Sequence, residues 1–203
     1  MGLGQRAHGD GGHLRHRRRR PHGGGGYLDP RSVELNFYLG NVLVLARRTR
    51  EAITQLQQTL ALDSTFWFAH AWLGRAYEQA GETPKAIAEL ETALRQEPGN
   101  SENVANLGHA FARAGRTVDA LRLIARLKAS ADTAYLSPYP VGVIHAGLGD
   151  TDQAFAWFER AFTDRSGQMV FYLATDNRMD PLRSDPRFVS LQKRIGLPTV
   201  PVR

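Results

Sequence analysis

The chain has 203 residues, 42% of them hydrophobic and 23% charged, with no cysteine and a net charge of +6. That length suits one or two domains and a core large enough to fold alone. Without cysteine, disulfides, Cys-ligated zinc, iron–sulfur clusters and thiol catalysis are excluded, and no apolar run approaches the roughly 18 residues of a membrane-spanning helix.

The charge is concentrated at one end. Residues 1–26 hold six arginines, including Arg17, Arg18, Arg19 and Arg20, against the single acid Asp10, and the rest of the chain is close to neutral. Nine glycines, four histidines and almost no apolar side chain stand in this stretch. Burial there cannot offset the entropy of ordering, so a disordered Gly/His/Arg-rich arm is expected over 1–26. Pro21, His22 and Gly23 to Gly26 follow the arginines, where a secretory signal needs an apolar stretch. Export is therefore not expected, and a cytoplasmic location is. Arginine runs neutralise phosphates, so Arg17, Arg18, Arg19 and Arg20 are the one expected route to nucleic acid. A flexible linker, or the cut edge of a longer chain, is the plainer expectation. The histidines lack a fixed ligand spacing, so no metal is expected.

From about residue 33 the chain repeats itself. Leu39-Gly40, Leu73-Gly74, Leu107-Gly108 and Val141-Gly142 recur every 34 residues. An alanine follows each glycine at a constant distance (Ala52, Ala86, Ala120, Ala154), and a large apolar residue comes four later (Leu56, Leu90, Ile124, Phe158). Turn glycines separate the halves at Gly81, Gly115 and Gly149. Each unit reads as two amphipathic helices. In the second, Phe68, Trp72, Leu73 and Tyr77 share a face, Thr83 is the expected N-cap, Pro84 opens the next helix, and Ile87, Leu90 and Leu94 point inward. Two helices approach closely where one has no side chain and the other a methyl group. A lone pair cannot bury its apolar face, so stacked pairs share one core.

The period and the pattern Leu73-Gly74-x-x-Tyr77…Ala86…Leu90…Ala93…Pro98 resemble the tetratricopeptide repeat family. The resemblance implies an all-α superhelix of four repeats, 33–66, 67–100, 101–134 and 135–168, within 27–168, followed by a C-terminal cap and tail over 169–203. Departures occur at Thr59 and Leu127, which replace the small residue at Ala93, and at Pro138 and Pro140, which shorten a first helix. His145 stands where Leu43, Tyr77 and Phe111 are bulky and is expected in the core. Asp185 and Pro186 open a last helix whose Phe188, Leu191 and Ile195 should cover the exposed end of the solenoid. This last block also resembles the C-terminal repeat module of bacterial multi-domain regulators.

No converging catalytic set is visible. His70, His109 and His145 share no turn, no Gly-x-Ser-x-Gly elbow occurs, and Glu89 and Glu91 read as a solvated helix face. Neither catalysis nor a cofactor is expected. The resemblance implies instead a non-enzymatic protein-interaction scaffold, binding a peptide or neighbouring domain in the concave groove lined by the first helices. Carried over by position, the expected groove residues are Phe37, Asn41, Phe68, Arg75, Gln79, His109, Arg113 and Tyr139. Arg75, His109 and Arg113 should form a cationic centre for an acidic, apolar-anchored peptide. The clamp by which some family members grip acidic chaperone tails is not expected, because Glu102 reverses a required charge and Asn41 alone matches. The alternative function is an accessory module of a transcriptional or signalling regulator touching nucleic acid through the arm. A third reading is self-association through the solenoid ends.

Overall fold

The computed structural model describes residues 32–131 and 135–197. The arm expected over 1–26, with Arg17 to Arg20, lies outside the described residues. Eight helices form four consecutive antiparallel pairs: α1 (Val33–Leu45) with α2 (Thr49–Leu62), α3 (Trp67–Gln79) with α4 (Thr83–Gln96), α5 (Ser101–Arg113) with α6 (Thr117–Ala131), and α7 (Tyr139–Leu148) with α8 (Thr151–Thr163). A short helix α9 (Gly167–Tyr172), a 3-10 turn (Asn177–Leu182) and α10 (Pro186–Arg194) follow. Among the described residues there is no strand.

Local chemistry sets the helix ends. The Ser32 hydroxyl accepts from the Leu35 amide at the start of α1, and Asn100 accepts from Glu102 and Asn103 at the start of α5. Asp150 and Asp185 cap α8 and α10 in the same way. α4 differs from expectation: Glu82 is its cap, without a side-chain bond, and Thr83 is already helical. Pro84 fits there because the first-turn amides have no partner within the helix. Pro138 and Pro140 hold α7 to 10 residues, against 13 in α1, α3 and α5.

The turns inside the pairs need a left-handed residue, and Gly81, Gly115 and Gly149 supply it with φ of 76°, 74° and 74°. Arg47 takes that place in the first pair at φ 60°, and its guanidinium bonds both oxygens of Asp180 at 2.5 and 2.7 Å.

The repeated glycines are where helices touch. A Cβ on Gly74 would stand 2.5 Å from Leu90 Cγ, and one on Gly142 would stand 2.5 Å from Phe158 Cε1. The third repeat breaks this rule. Gly108 faces Ile144 of α7, at 2.5 Å from Cδ1, instead of Ile124 in its own second helix. The short α7 therefore sits unusually close to α5, and Gly147 on α7 abuts the His109 ring. His145 is buried, as a bulky residue there should be, 3.3 Å from Asp150. Burial lowers its pKa, with Asp150 opposing.

The chain then doubles back. α10 packs on α8, with Phe188 and Leu191 fully buried and the guanidiniums of Arg187 and Arg194 over the rings of Phe155 and Phe162.

Candidate functional site

The first helices α1, α3, α5 and α7 line one face of the solenoid, and residues 172–180 cross that face. Asp180 is tied to Arg47 at the α1–α2 turn, Asp176 to Arg75 on α3, and Arg178 to Asn106 on α5, while the 3-10 turn rests on α7. The middle of the expected groove is thus covered by the chain itself.

At the centre of the crossing lies a buried polar cluster. Arg75 Nη2 bonds Asp176 Oδ1 at 3.1 Å, with side chains 2% and 0% exposed. Arg178 closes on the same carboxylate with its amide (3.0 Å), Nε (3.0 Å) and Nη2 (2.5 Å), and gives Nη1 to Asn106 at 2.7 Å. Burial alone would make this acid harder to ionise. The two guanidiniums outweigh it and hold the Asp176 carboxyl well below the usual carboxylate range. Glu78 repeats the logic: burial opposes its charge, but His109, bonded at 2.6 Å, with Arg178 and Arg75 behind it, lowers its pKa. The Tyr139 hydroxyl is buried beside the cluster, and burial pushes its pKa well above 10.

This corrects the expected cationic centre. Arg75 and His109 are buried and already paired, and Arg113 stays exposed in the last turn of α5. The physical reason is Asp176, an acid beyond the repeats that desolvates Arg75 by pairing with it. Gln79 is also engaged, donating to the Val44 carbonyl at 3.0 Å and accepting from Thr49 at 3.1 Å, so it ties α3 to the first pair. Tyr139 lies under the crossing segment, buried against Phe158 at 5.4 Å between ring centroids. Glu89, expected on a solvated face, instead receives His70 Nδ1 at 2.6 Å. That bond raises the His70 pKa against the effect of burial.

Phe37, Asn41 and Phe68 are brought together elsewhere. They line an open hollow at the N-terminal end of the face, enclosing about 290 Å³, with Tyr172 as its far wall. Trp67 stacks on Phe68 with centroids 3.5 Å apart, and Phe37 stands edge-on to Phe66. Glu34, Glu102, Asn103 and Asn106 supply the polar lining. Burial of the Tyr172 hydroxyl, with the Glu102 carboxylate beside it, pushes its pKa up to about 12. Sequence reasoning missed Tyr172, Asp176 and Arg178, which lie outside the 34-residue period. Among the described residues no group of three or more His, Asp or Glu side chains is placed to hold a metal, and no helix is long and apolar enough to cross a membrane.

The family model described as tetratricopeptide repeat matches residues 27–174. A chain of the APC/C hetero-tetramer Cut9–Hcn1 superposes with a TM-score of 0.58 at 17% identity, over 83% of this chain and 34% of that one. Pseudomonas aeruginosa pilF gives 0.52 at 21% identity, over 80% and 74% of the two chains. A repeat protein of Parabacteroides merdae gives 0.50 at 14% identity, over 83% and 66%. At these identities the likeness is one of fold. No curated protein matches the chain in sequence.

Proposed function

The chain belongs to the tetratricopeptide repeat family, whose fold generally serves as a protein–protein interaction scaffold, and from this we propose that it is a non-enzymatic scaffold whose partner docks as an extended segment in the hollow beside α1 and α3. One observation carries the reading. Residues 172–180 cover the middle of the first-helix face, and the aromatic hollow beside α1 and α3 stays open. Phe68 remains 41% exposed there and Tyr38 62%. Exposed aromatic side chains gathered in a concavity are the usual anchors of recognition, because they bury much area at small entropic cost.

A photo-crosslinking residue placed at Phe68, and as a control at the exposed Ala125 on α6, tests this. The expected result is a discrete protein crosslinked from position 68, with the crosslinked peptide of the partner running along α1 and α3. Equal crosslinking from both positions would remove the hollow as the binding site.

A further inference from the structure

The hollow has a charge preference written into its walls. Its ionisable carboxylates are Glu34, in the first turn of α1, and Glu102, in the first turn of α5, and among the described residues no lysine or arginine lines it. Ser32 donates to Glu34 at 3.0 Å, and the Tyr172 hydroxyl stands beside Glu102. Each carboxylate has about four acceptor sites, so both retain capacity. Among the described residues neither forms a salt bridge. The nearest buried cations, Arg75 and Arg178, stand behind the wall and are held by Asp176.

We propose that the hollow takes an arginine or lysine side chain of an extended, basic partner segment, with the cation between Glu34 and Glu102 and its aliphatic stem against Phe37 and Phe68. This rests on reading the hollow as a peptide site. Three observations converge on it. An acidic segment would meet two carboxylates, with no lining cation among the described residues. A purely apolar segment would desolvate those carboxylates without replacing their water, which is costly. A cation meets both charges and also the faces of electron-rich rings, to which it is attracted. The same wall already makes such a contact from within, since the Arg75 guanidinium lies 4.2 Å from the Trp72 ring centroid. The volume, about 290 Å³, is at the small end of ligand pockets and suits one long side chain with its flanking backbone.

The test uses the full chain and fluorescein-labelled hexapeptides of sequence Ala-Arg-Leu-Ala-Arg-Ala, with arginine, citrulline or glutamate at the two charged places. The arginine peptide is expected to bind at least tenfold more tightly than the citrulline peptide, which keeps the shape without the charge, and the glutamate peptide should not bind. Glu34→Gln with Glu102→Gln should abolish the difference between arginine and citrulline. Circular dichroism should show unchanged helicity, because both side chains line the open hollow and neither is fully buried. If arginine and citrulline peptides bind equally and Phe68→Ala weakens both, the charge preference is overturned while the peptide site stands. If the arginine peptide fails to bind at millimolar concentration, the proposal is overturned. If it binds only after Arg17, Arg18, Arg19 and Arg20 are changed to serine, the occupant is this chain's own arginine run and a partner segment is excluded.

Discussion

Arg75 of α3 and Asp176 of the crossing segment pair at 3.1 Å, 101 residues apart in sequence, with almost no exposed surface on either side chain. Arg178 shares the carboxylate. Removing the acid leaves two guanidiniums in the interior with one counter-charge fewer. Asp176→Asn should therefore destabilise the fold by about 3–5 kcal/mol, measured by urea unfolding. A loss under 1 kcal/mol would show that water reaches the cluster. The pH profile follows from the same geometry. The folded-state pKa of Asp176 is depressed, so its stabilisation is complete above the unfolded value of about 3.9 and is lost as pH falls toward the folded one. The melting temperature should drop below about pH 4, and less steeply in Asp176→Asn.

The solenoid was legible in the sequence because its chemistry is periodic. Gly40, Gly74 and Gly142 recur where helices must touch, and each meets the large residue sixteen positions later. The crossing segment was not legible, because nothing periodic marks it. The acid at Asp176 reads locally as the cap of a short turn, which it also is, donated to by the Arg178 amide. That it neutralises Arg75 depends on the chain doubling back, a long-range event with no local signature. The residues assigned to the groove by position stand on the first helices, yet Arg75, His109 and Tyr139 are buried, beneath a segment that carries no periodic mark.

Two histidines pull the neutral-pH stability in opposite directions. The Glu89 bond raises the folded pKa of His70, so its contribution is complete below the unfolded value of about 6.5 and is lost as pH rises through the folded one. Burial lowers the folded pKa of His145, so it opposes folding below about 6.5, and that penalty fades as pH rises to the same value. The melting temperature should pass through a maximum near pH 6.5. Glu89→Gln should flatten the alkaline side and His145→Phe the acid side. A profile unchanged by both variants would remove these histidines from the pH response.

Gly108 makes a sharper test of packing than its three counterparts. A methyl group there would overlap Ile144 of α7, with 2.5 Å to Cδ1 and 2.8 Å to Cγ1. Gly108→Ala should cost roughly 1–3 kcal/mol through overpacking, reduced by the better helix propensity of alanine. Trimming Cδ1 in Ile144→Val should recover about 1 kcal/mol of that loss in a double-mutant cycle. Ile124→Val, on the second helix of the same repeat, should recover none. Rescue by Ile124→Val and not by Ile144→Val would mean that α5 packs on α6 as the other first helices pack on their partners.

The end of the solenoid supplies the last prediction. Phe155 and Phe158 on α8 are 3% and 0% exposed, although no further helix pair follows among the described residues. Phe158 is held from the α7 side by Gly142 and Tyr139, whereas α10 packs on the other side of α8, its Arg187 guanidinium over the Phe155 ring and its Phe188 and Leu191 at 1% and 0% exposed. Its rim is charged: Arg187 bonds Asp152 at 2.9 Å and Arg194 bonds Glu159 at 2.7 Å. These rim pairs are largely exposed, and such pairs contribute about 0–1 kcal/mol each. Truncating a fully buried phenylalanine removes its transfer energy and leaves a cavity, a loss of about 3–5 kcal/mol. Phe188→Ala should therefore destabilise far more than Arg187→Ala or Arg194→Ala in urea unfolding. It should also increase binding of a hydrophobic dye, because the α8 face becomes accessible. If the arginine variants cost as much as Phe188→Ala, the cap is held by its charged rim, and the apolar face of α8 must be stabilised by the segment from α9 to the 3-10 turn instead.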